Sequence, residues 1–257
     1  MIYGLYLSAT GVITNSHQQD VIANNLANAE TGGFRRQLAL TETRQVESRV
    51  RQAMGLKDPI RDNIGGGQFL APSYYDQSQG ILETSSNNLD VAFQGTGFIG
   101  VQDGQGQFRL TRNGSLMTDK DGFLRTSAGQ FVLSDQKQPI KLDLTGRKQV
   151  DLNIDNDGNI KIQGEDTALA KIGLFEPTDP NTIKAAGGNT FAPTEGSQLV
   201  AAKGRLLSGM TEGSNVEPAT ELTRLMETQR LLEANANFIR TQDQTLGRAV
   251  TDVGKIG

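Results

Sequence analysis

The C-terminal part of the chain carries an apolar residue at every seventh position, and this column constrains the fold more than any other feature. Its members are Leu225, Leu232, Ile239, Leu246 and Val253. An apolar repeat of seven residues held over this length is typical of the seam of a coiled coil. We therefore predict one helix over Asn215–Val253, roughly 55–60 Å long at about 1.5 Å per residue.

A second column with the same seven-residue spacing accompanies this seam, and some of its members are polar. Its members are Leu222, Gln229, Ala236, Asp243 and Val250. In an ordinary globular helix such a stripe packs against the protein's own core. This helix is too long for that in a small domain, so we infer that part of its seam faces another molecule.

A shorter helix of about 25 residues is predicted at the N-terminus. Its apolar positions follow alternating steps of four and three residues, interrupted by Ser16 and Gln19. They are Leu5, Ala9, Val12, Ala23 and Leu26. This helix is the obvious partner for part of the C-terminal seam.

The middle of the chain, Gln68–Leu207, has the alternation and turn signals of β-strands. Asn113-Gly114, Asp121-Gly122 and Asp157-Gly158 are typical of hairpin turns. The chain has 30 glycines, where average usage of about 7% predicts about 18. The segments "GQFRL" and "GQFVL" indicate two similar hairpins.

These patterns predict an α+β protein with paired, coiled-coil-like terminal helices and an inserted all-β, hairpin-rich domain. We assign residues 1–40 and 208–257 to a terminal helical assembly domain. Residues 41–67 are a connector of low regularity, and residues 68–207 are a β-rich outer domain.

Composition disfavours several classes of function. The net charge is −4 and no dense basic run occurs, so we expect no nucleic-acid partner. No stretch of 18 apolar residues is present, so we expect no membrane insertion. The chain has no cysteine and one histidine, His17, so catalytic and metal sites are disfavoured. We expect no enzyme activity, no cofactor and no metal.

Two motifs imitate ligand sites. The segment "GTGFIG" at 95–100 fits a dinucleotide fingerprint, but the alternation after it excludes the helix that such a site needs. It therefore indicates a bend or bulge between strands. The segment "DNDG" at 155–158 has its glycine at the wrong position for a calcium loop, so we predict a hairpin turn.

The stretch "VIANNLANAETGGFRR" raises a question, because three asparagines, mediocre helix formers, lie inside an apolar helical pattern. Together with Thr31-Gly32-Gly33-Phe34-Arg35, it resembles the N-terminal signature of flagellar axial proteins. The segments "LDVA", "GTGF" and "TRNGS" in the middle, and "GSNV", "QR" and "EAN" near the end, are similar to this family's other motifs. These matches follow the family's order along nearly the whole chain.

The resemblance implies a structural subunit of the bacterial flagellar basal-body rod, which polymerises through its terminal helices into the axial drive shaft that transmits torque from motor to hook. It implies export through the flagellar type III apparatus without a cleaved signal peptide, and a location in the periplasmic rod. The implied partners are other copies of the chain, neighbouring rod and hook proteins, and the export apparatus.

The length of the chain, 257 residues, fits a rod subunit better than the larger hook protein. The segments "MIYGLYLSATG" and "FRRQLAL" favour the proximal-rod type, although residues 41–67 have a length seen in distal-rod subunits. The alternatives are a secreted β-rich adhesin or carbohydrate-binding module oligomerised by its helices, and an enzyme on the β domain.

On this interpretation the asparagine amides bond to neighbouring helices, a glycine at 32 or 33 caps the first helix, and an aromatic side chain anchors the outgoing chain. The expected assembly interface comprises Leu5, Ala9, Val12, Asn24, Asn25, Leu26, Asn28, Phe34, Leu222, Leu225, Gln229, Leu232, Ala236, Ile239, Leu246, Val250 and Val253.

Overall fold

The computed structural model of the chain describes residues 2–43, 67–142, 152–162, 167–179 and 182–254. Helix, strand-rich middle and helix follow one another, so the protein is α+β as predicted. Most of the predicted connector, residues 44–66, lies outside the described residues.

The chain divides into two compact units. The helical unit comprises Met1–Ala27, Gln37–Tyr75 and Glu217–Gly257, and the β unit comprises Asn28–Arg36 and Asp76–Val216. The assignment of separate roles to the terminal, connecting and outer segments stays a prediction.

Two long helices belong to the helical unit. Helix α1 spans Ile2–Ala27 and helix α2 spans Pro218–Gly254. The prolyl residue at the start of α2 fits the first helical position, where a backbone N–H has no helical acceptor. Neither helix is long and apolar enough, over the residues described, to cross a membrane.

The described strands are short, each has two to five residues, and they pair in antiparallel fashion. In chain order, the described strands are β1 (Gln37–Leu38), β2 (Thr41–Thr43), β3 (Gln68–Leu70), β4 (Tyr74–Tyr75), β5 (Leu82–Thr84), β6 (Val91–Gln94), β7 (Phe98–Gln102), β8 (Phe108–Thr111), β9 (Leu116–Thr118), β10 (Leu124–Thr126), β11 (Phe131–Val132), β12 (Leu152–Ile154), β13 (Asn159–Ile162), β14 (Ala168–Lys171), β15 (Leu174–Pro177), β16 (Ile183–Gly187), β17 (Thr190–Pro193), β18 (Leu199–Ala201), β19 (Arg205–Ser208) and β20 (Met210–Glu212).

The largest sheet of the β unit has the order β16-β17-β8-β7-β11-β10-β9. Strand β15 pairs with both β7 and β18 at the side of this path. Strands β12, β13 and β14 form a separate sheet. Two late strands return to early ones, because β19 pairs with β6 and β20 pairs with β5.

One hydrophobic core holds the β unit together. Alternate residues of the strands point into it, as in β12, where Leu152 and Ile154 are buried and Asn153 is exposed. Its fully buried members include Leu89, Val91, Val101, Leu124, Val132, Ile160, Ile172 and Leu206.

Three hairpins of the β unit use the same turn, which begins with aspartate and ends with glycine at positive φ. The turns begin at Asp103, Asp119 and Asp155 and end at Gly106, Gly122 and Gly158. In each turn the glycine N–H donates to the aspartate carbonyl oxygen, at 3.0–3.1 Å. A cation six residues after the aspartate, Arg109, Arg125 or Lys161, pairs with its carboxylate. The predicted turns at Asp121-Gly122 and Asp157-Gly158 are confirmed.

The hairpin predicted at Asn113-Gly114 is wrong. Strand β8 pairs with β7 and β17, whereas β9 pairs with β10, so the two segments that flank this dipeptide do not pair. Gly114 instead runs beside Val91, whose N–H donates to the Gly114 carbonyl oxygen at 2.9 Å. A Cβ atom on Gly114 would lie 1.6 Å from the Val91 oxygen, so close backbone approach explains this glycine.

The segment "GTGFIG" connects β6 to β7, as the sequence indicated. Gly95 and Gly97 have φ values of 108° and 136°, which favour glycine. A strand rather than a helix follows them.

Candidate assembly surface

Helices α1 and α2 pack against each other in antiparallel orientation within the helical unit. Gly4 of α1 faces Gln242 of α2, and Gly11 faces Asn235. A Cβ atom would lie 2.6 Å from Gln242 Nε2 at the first position and 2.9 Å from Asn235 Nδ2 at the second. The glycines therefore allow the helices to approach closely.

The residues of α2 that face α1 along the centre of this contact are polar. They recur every seven residues as Glu221, Thr228, Asn235 and Gln242. Glu221 and Thr228 are among the buried polar residues. The sequence had indicated the column that starts at Leu222 as companion of the seam. Within the chain, the row of α2 that faces the α1 glycines is instead the polar one, and the role of the Leu222 column in assembly stays a prediction.

Asn25 is buried, and its side chain makes three hydrogen bonds. Its Nδ2 donates to the Gln37 carbonyl oxygen at 2.8 Å and to Glu221 Oε2 at 3.2 Å. Its Oδ1 accepts the Gln37 N–H at 2.9 Å. This buried side chain therefore joins α1, β1 and α2 within its own chain, which the sequence did not reveal.

The other two asparagines are less buried. Asn24 is exposed on α1, and Asn28 is half-buried in the β unit, where its carbonyl oxygen accepts the Thr31 N–H at 3.1 Å. Phe34 is half-buried in the same unit.

Gly33 has a φ of 68°, but it lies well beyond the last residue of α1, Ala27. The expectation that a left-handed glycine at 32 or 33 caps this helix is therefore wrong. Gly33 packs on the backbone of Arg112, and its N–H donates to the Glu212 carbonyl oxygen at 2.7 Å.

The first apolar column of α2 is half-buried over its described members. They are Leu225, Leu232, Ile239 and Leu246. Four of the five predicted positions of α1 behave similarly, since Leu5, Ala9, Val12 and Leu26 are half-buried, whereas Ala23 is exposed. The side chain of Val253 lies outside the described residues.

The second predicted column is largely exposed. Leu222 is 48% exposed, Val250 is 71% exposed, Gln229 is exposed and Ala236 is half-buried. Sequence reasoning missed further exposed apolar side chains on the helices, because they fall outside its two columns. They are Tyr6, Ile13, Met226, Leu231 and Phe238.

A buried charge cluster in the β unit was also missed. Glu212 accepts from Arg35 Nη2 at 2.7 Å and from Arg112 Nη1 at 3.2 Å. The three side chains are at most 3% exposed. Arg35 also donates to the Ser78 carbonyl oxygen, and Arg112 donates to the Gly95 carbonyl oxygen at 2.8 Å.

This cluster holds two guanidinium groups and one carboxylate. Burial lowers the pKa of Arg112 to about 10, and the positive charge of Arg35 acts in the same direction, while Glu212 opposes both. Burial also lowers the pKa of Arg35. The Arg112 guanidinium lies 5.0 Å from the ring centre of Phe93 and 5.2 Å from that of Phe98, which adds cation–π stabilisation.

Three family profiles match segments of the chain. Residues 5–35 match "Flagella basal body rod protein", residues 92–162 match "Flagellar hook protein FlgE/F/G D1 domain", and residues 207–252 match "Flagellar basal body rod FlgEFG protein C-terminal". The relatives extend this similarity to nearly full length. Flagellar basal-body rod protein FlgG of Buchnera aphidicola subsp. Schizaphis graminum is 31% identical over 96% of this chain and 98% of the relative. The chain belongs to the flagellar basal-body rod protein family.

Relatives named FlgF and relatives named FlgG both match this rod protein family member. Flagellar basal-body rod protein FlgF of Caulobacter vibrioides is 30% identical over 98% of both chains. Flagellar basal-body rod protein FlgG of Borreliella burgdorferi is 30% identical over 97% of this chain and 98% of the relative.

Each of the three matched segments of this rod family member contributes one residue to the buried charge cluster. Arg35 ends the first, Arg112 lies in the second and Glu212 lies in the third. Each of these charged residues lies in or beside a motif quoted from the sequence, and this was the signal that could have pointed to the cluster. The sequence does not show that the three residues meet in space.

Proposed function

We propose that this chain is a structural subunit of the flagellar basal-body rod that assembles through its terminal helices. Family membership supports the rod assignment. The observation that carries the assembly mechanism is the set of exposed apolar side chains on α2, which includes Leu222, Met226 and Val250. Covering apolar surface is the main favourable term in association.

The contact between α1 and α2 supports coupling between assembly and ordering. Its central row on α2 is polar, and burial of polar side chains gives little net stabilisation. Much of the helices' apolar surface instead faces outward. We infer that neighbouring subunits complete a coiled-coil-like packing, and that the helical unit gains most of its stability on assembly.

The unequal lengths of the helices add a second surface. Helix α2 has 37 residues and α1 has 26. Because the first turns of α1 face Gln242, the last turns of α2 run past the start of α1. This overhang carries the exposed Val250, and we assign it to contact with an adjacent subunit.

The proposed partners are other copies of the chain, neighbouring rod and hook proteins, and the flagellar type III export apparatus. The proposed location is the periplasmic rod, reached without a cleaved signal peptide, where the assembled subunits transmit torque. The proximal-rod type stays our preference on the N-terminal motifs. The matched family gives no support to the adhesin alternative.

The test uses cells that carry the chain as the only copy of its gene. We expect Val250→Asp, and a truncation after Phe238, to reduce the amount of chain recovered in purified basal bodies. Thr251→Asp, at the exposed neighbouring position, is the matched control and should be recovered as the parent chain is. Normal incorporation of the truncated chain would exclude the overhang from assembly.

A further inference from the structure

Helix α1 presents a second row of side chains on the face opposite to its glycines. Tyr6 is 41% exposed, Ile13 is 59% exposed and Asp20 is exposed. They are seven residues apart, so each is about 10.5 Å from the next along the helix. Because Gly4 and Gly11 face α2, this row points away from the chain's own second helix.

Helix α2 presents a row with the same spacing beside its contact with α1. Phe238 is 64% exposed, Leu231 is 55% exposed and the Arg224 side chain is 44% exposed. Each lies three residues after a member of the row that faces α1, so the exposed row borders that contact on one side.

The two rows are complementary in antiparallel orientation. Tyr6 then meets Phe238, Ile13 meets Leu231, and Asp20 meets Arg224. A parallel arrangement cannot pair both apolar positions and the opposite charges at once, because the charged residue follows the apolar pair in α1 and precedes it in α2.

We propose that the Tyr6–Ile13–Asp20 row of one copy packs against the Arg224–Leu231–Phe238 row of a second copy. Each α2 then contacts the α1 of its own chain and, on the adjoining face, the α1 of a neighbour. The occupant is a second copy because the charge order and the spacing of its α1 match this row. This inference rests on the proposed function and names the residues of one lateral contact.

The contact joins two different surfaces, so each copy can take part in two such contacts, one through α1 and one through α2. Within a chain Asn25 meets Glu221, whereas between chains Asp20 meets Arg224. Relative to the intrachain register, the neighbouring α1 is therefore displaced by two residues, about 3 Å along the axis. Adjacent copies lie nearly level.

Charge reversal tests the contact between copies. Asp20→Arg alone and Arg224→Glu alone each place like charges together, and we expect about fivefold less chain in basal bodies, the factor that corresponds to about 1 kcal/mol per contact. Coexpression of both variants should restore recovery, because every contact in an alternating assembly then joins opposite charges. Arg224 also bonds to Glu221 at 3.2 Å within its chain, so Arg224→Glu could weaken the monomer itself. Coexpression cannot repair such damage, so recovery would show that the two charges meet between copies.

Disulfide crosslinking tests the geometry directly, because the chain has no cysteine. A chain with Ile13→Cys and Leu231→Cys should give a ladder of crosslinked oligomers in basal bodies on oxidation. Ile13→Cys with Leu222→Cys is the matched control, since Leu222 is 48% exposed on the other flank of α2, and it should give no ladder.

The outcomes separate this contact from the rod function. If the parent chain enters basal bodies but coexpression gives no recovery and both cysteine pairs behave alike, the row pairing is wrong and the rod function stands. If the parent chain does not enter basal bodies at all, the proposed function fails and the contact fails with it.

Discussion

Arg35 Nη2 lies 2.7 Å from Glu212 Oε1, and both side chains are fully buried although 177 positions separate them in the chain. Arg112 reaches the other carboxylate oxygen at 3.2 Å. One carboxylate therefore joins an early, a middle and a late segment of the β unit.

Glu212→Gln should destabilise the β unit by about 3–5 kcal/mol, because it leaves two buried guanidinium groups without a counter-charge. Urea unfolding followed by the β-sheet signal measures the change. Glu195→Gln, in an exposed turn, is the control and should leave the midpoint unchanged. An unaltered midpoint for Glu212→Gln would show that the cluster contributes no net stability.

Gly33→Ala should destabilise the β unit by roughly 2 kcal/mol or more. Its φ of 68° disfavours a side chain, and a Cβ atom would lie 2.5 Å from the Arg112 carbonyl carbon. Gly32→Ala is the matched control, because the nearest atom to its Cβ is 3.5 Å away. We expect thermal melting to separate the two variants, and equal melting temperatures would contradict this account of Gly33.

Asn25→Ala should loosen the helical unit in the isolated chain. It removes both bonds to the Gln37 backbone and the bond to Glu221, with an expected loss of about 1–3 kcal/mol in local stability. Native-state hydrogen exchange of the α1 amides measures this loss. The control is Ser16→Ala, at an exposed position of α1, for which we expect little change. Identical exchange in both variants would show that Asn25 does not hold α1 in the monomer.

Acid should weaken the hairpin turns of the β unit. Partial desolvation raises the pKa of Asp119, but the N–H groups of Phe123 and Asp121 and the ion pair with Arg125 outweigh it and lower the pKa. The pKa of Asp155 is lowered in the same way, chiefly by bonds from Asn159. A folded pKa below the unfolded value gives stability that is complete above pH of about 4 and is lost as the pH falls toward the folded pKa.

Thermal melting in a series of buffers between about pH 5 and about pH 2 measures this loss. The double variant Asp119→Asn, Asp155→Asn should lose less melting temperature over this range than the parent chain, since its turns no longer titrate. Asp121→Asn, exposed in one of the same turns, is the control and should follow the parent. A double variant that falls as steeply as the parent would assign the acid sensitivity to other groups.

Local patterns predicted the elements whose physics is local. The apolar column from Leu225 to Leu246 predicted a helix over Asn215–Val253, and α2 spans Pro218–Gly254. The aspartate–glycine turns were predicted because the turn is completed by bonds within five residues. Asn113-Gly114 has the same local signal, yet its glycine allows close approach to the backbone of Val91. That residue belongs to β6, a strand that is distant in sequence.

The sequence alone determined the two helices, the hairpin-rich middle and the resemblance to the rod family, because periodicity and turn chemistry act over short ranges of the chain. Only the tertiary structure decided that Arg35, Arg112 and Glu212 share one buried site, and that polar residues of α2 face the glycines of α1. Such contacts depend on which strands pair and on the relative register of two helices, and residues far apart in the chain set both.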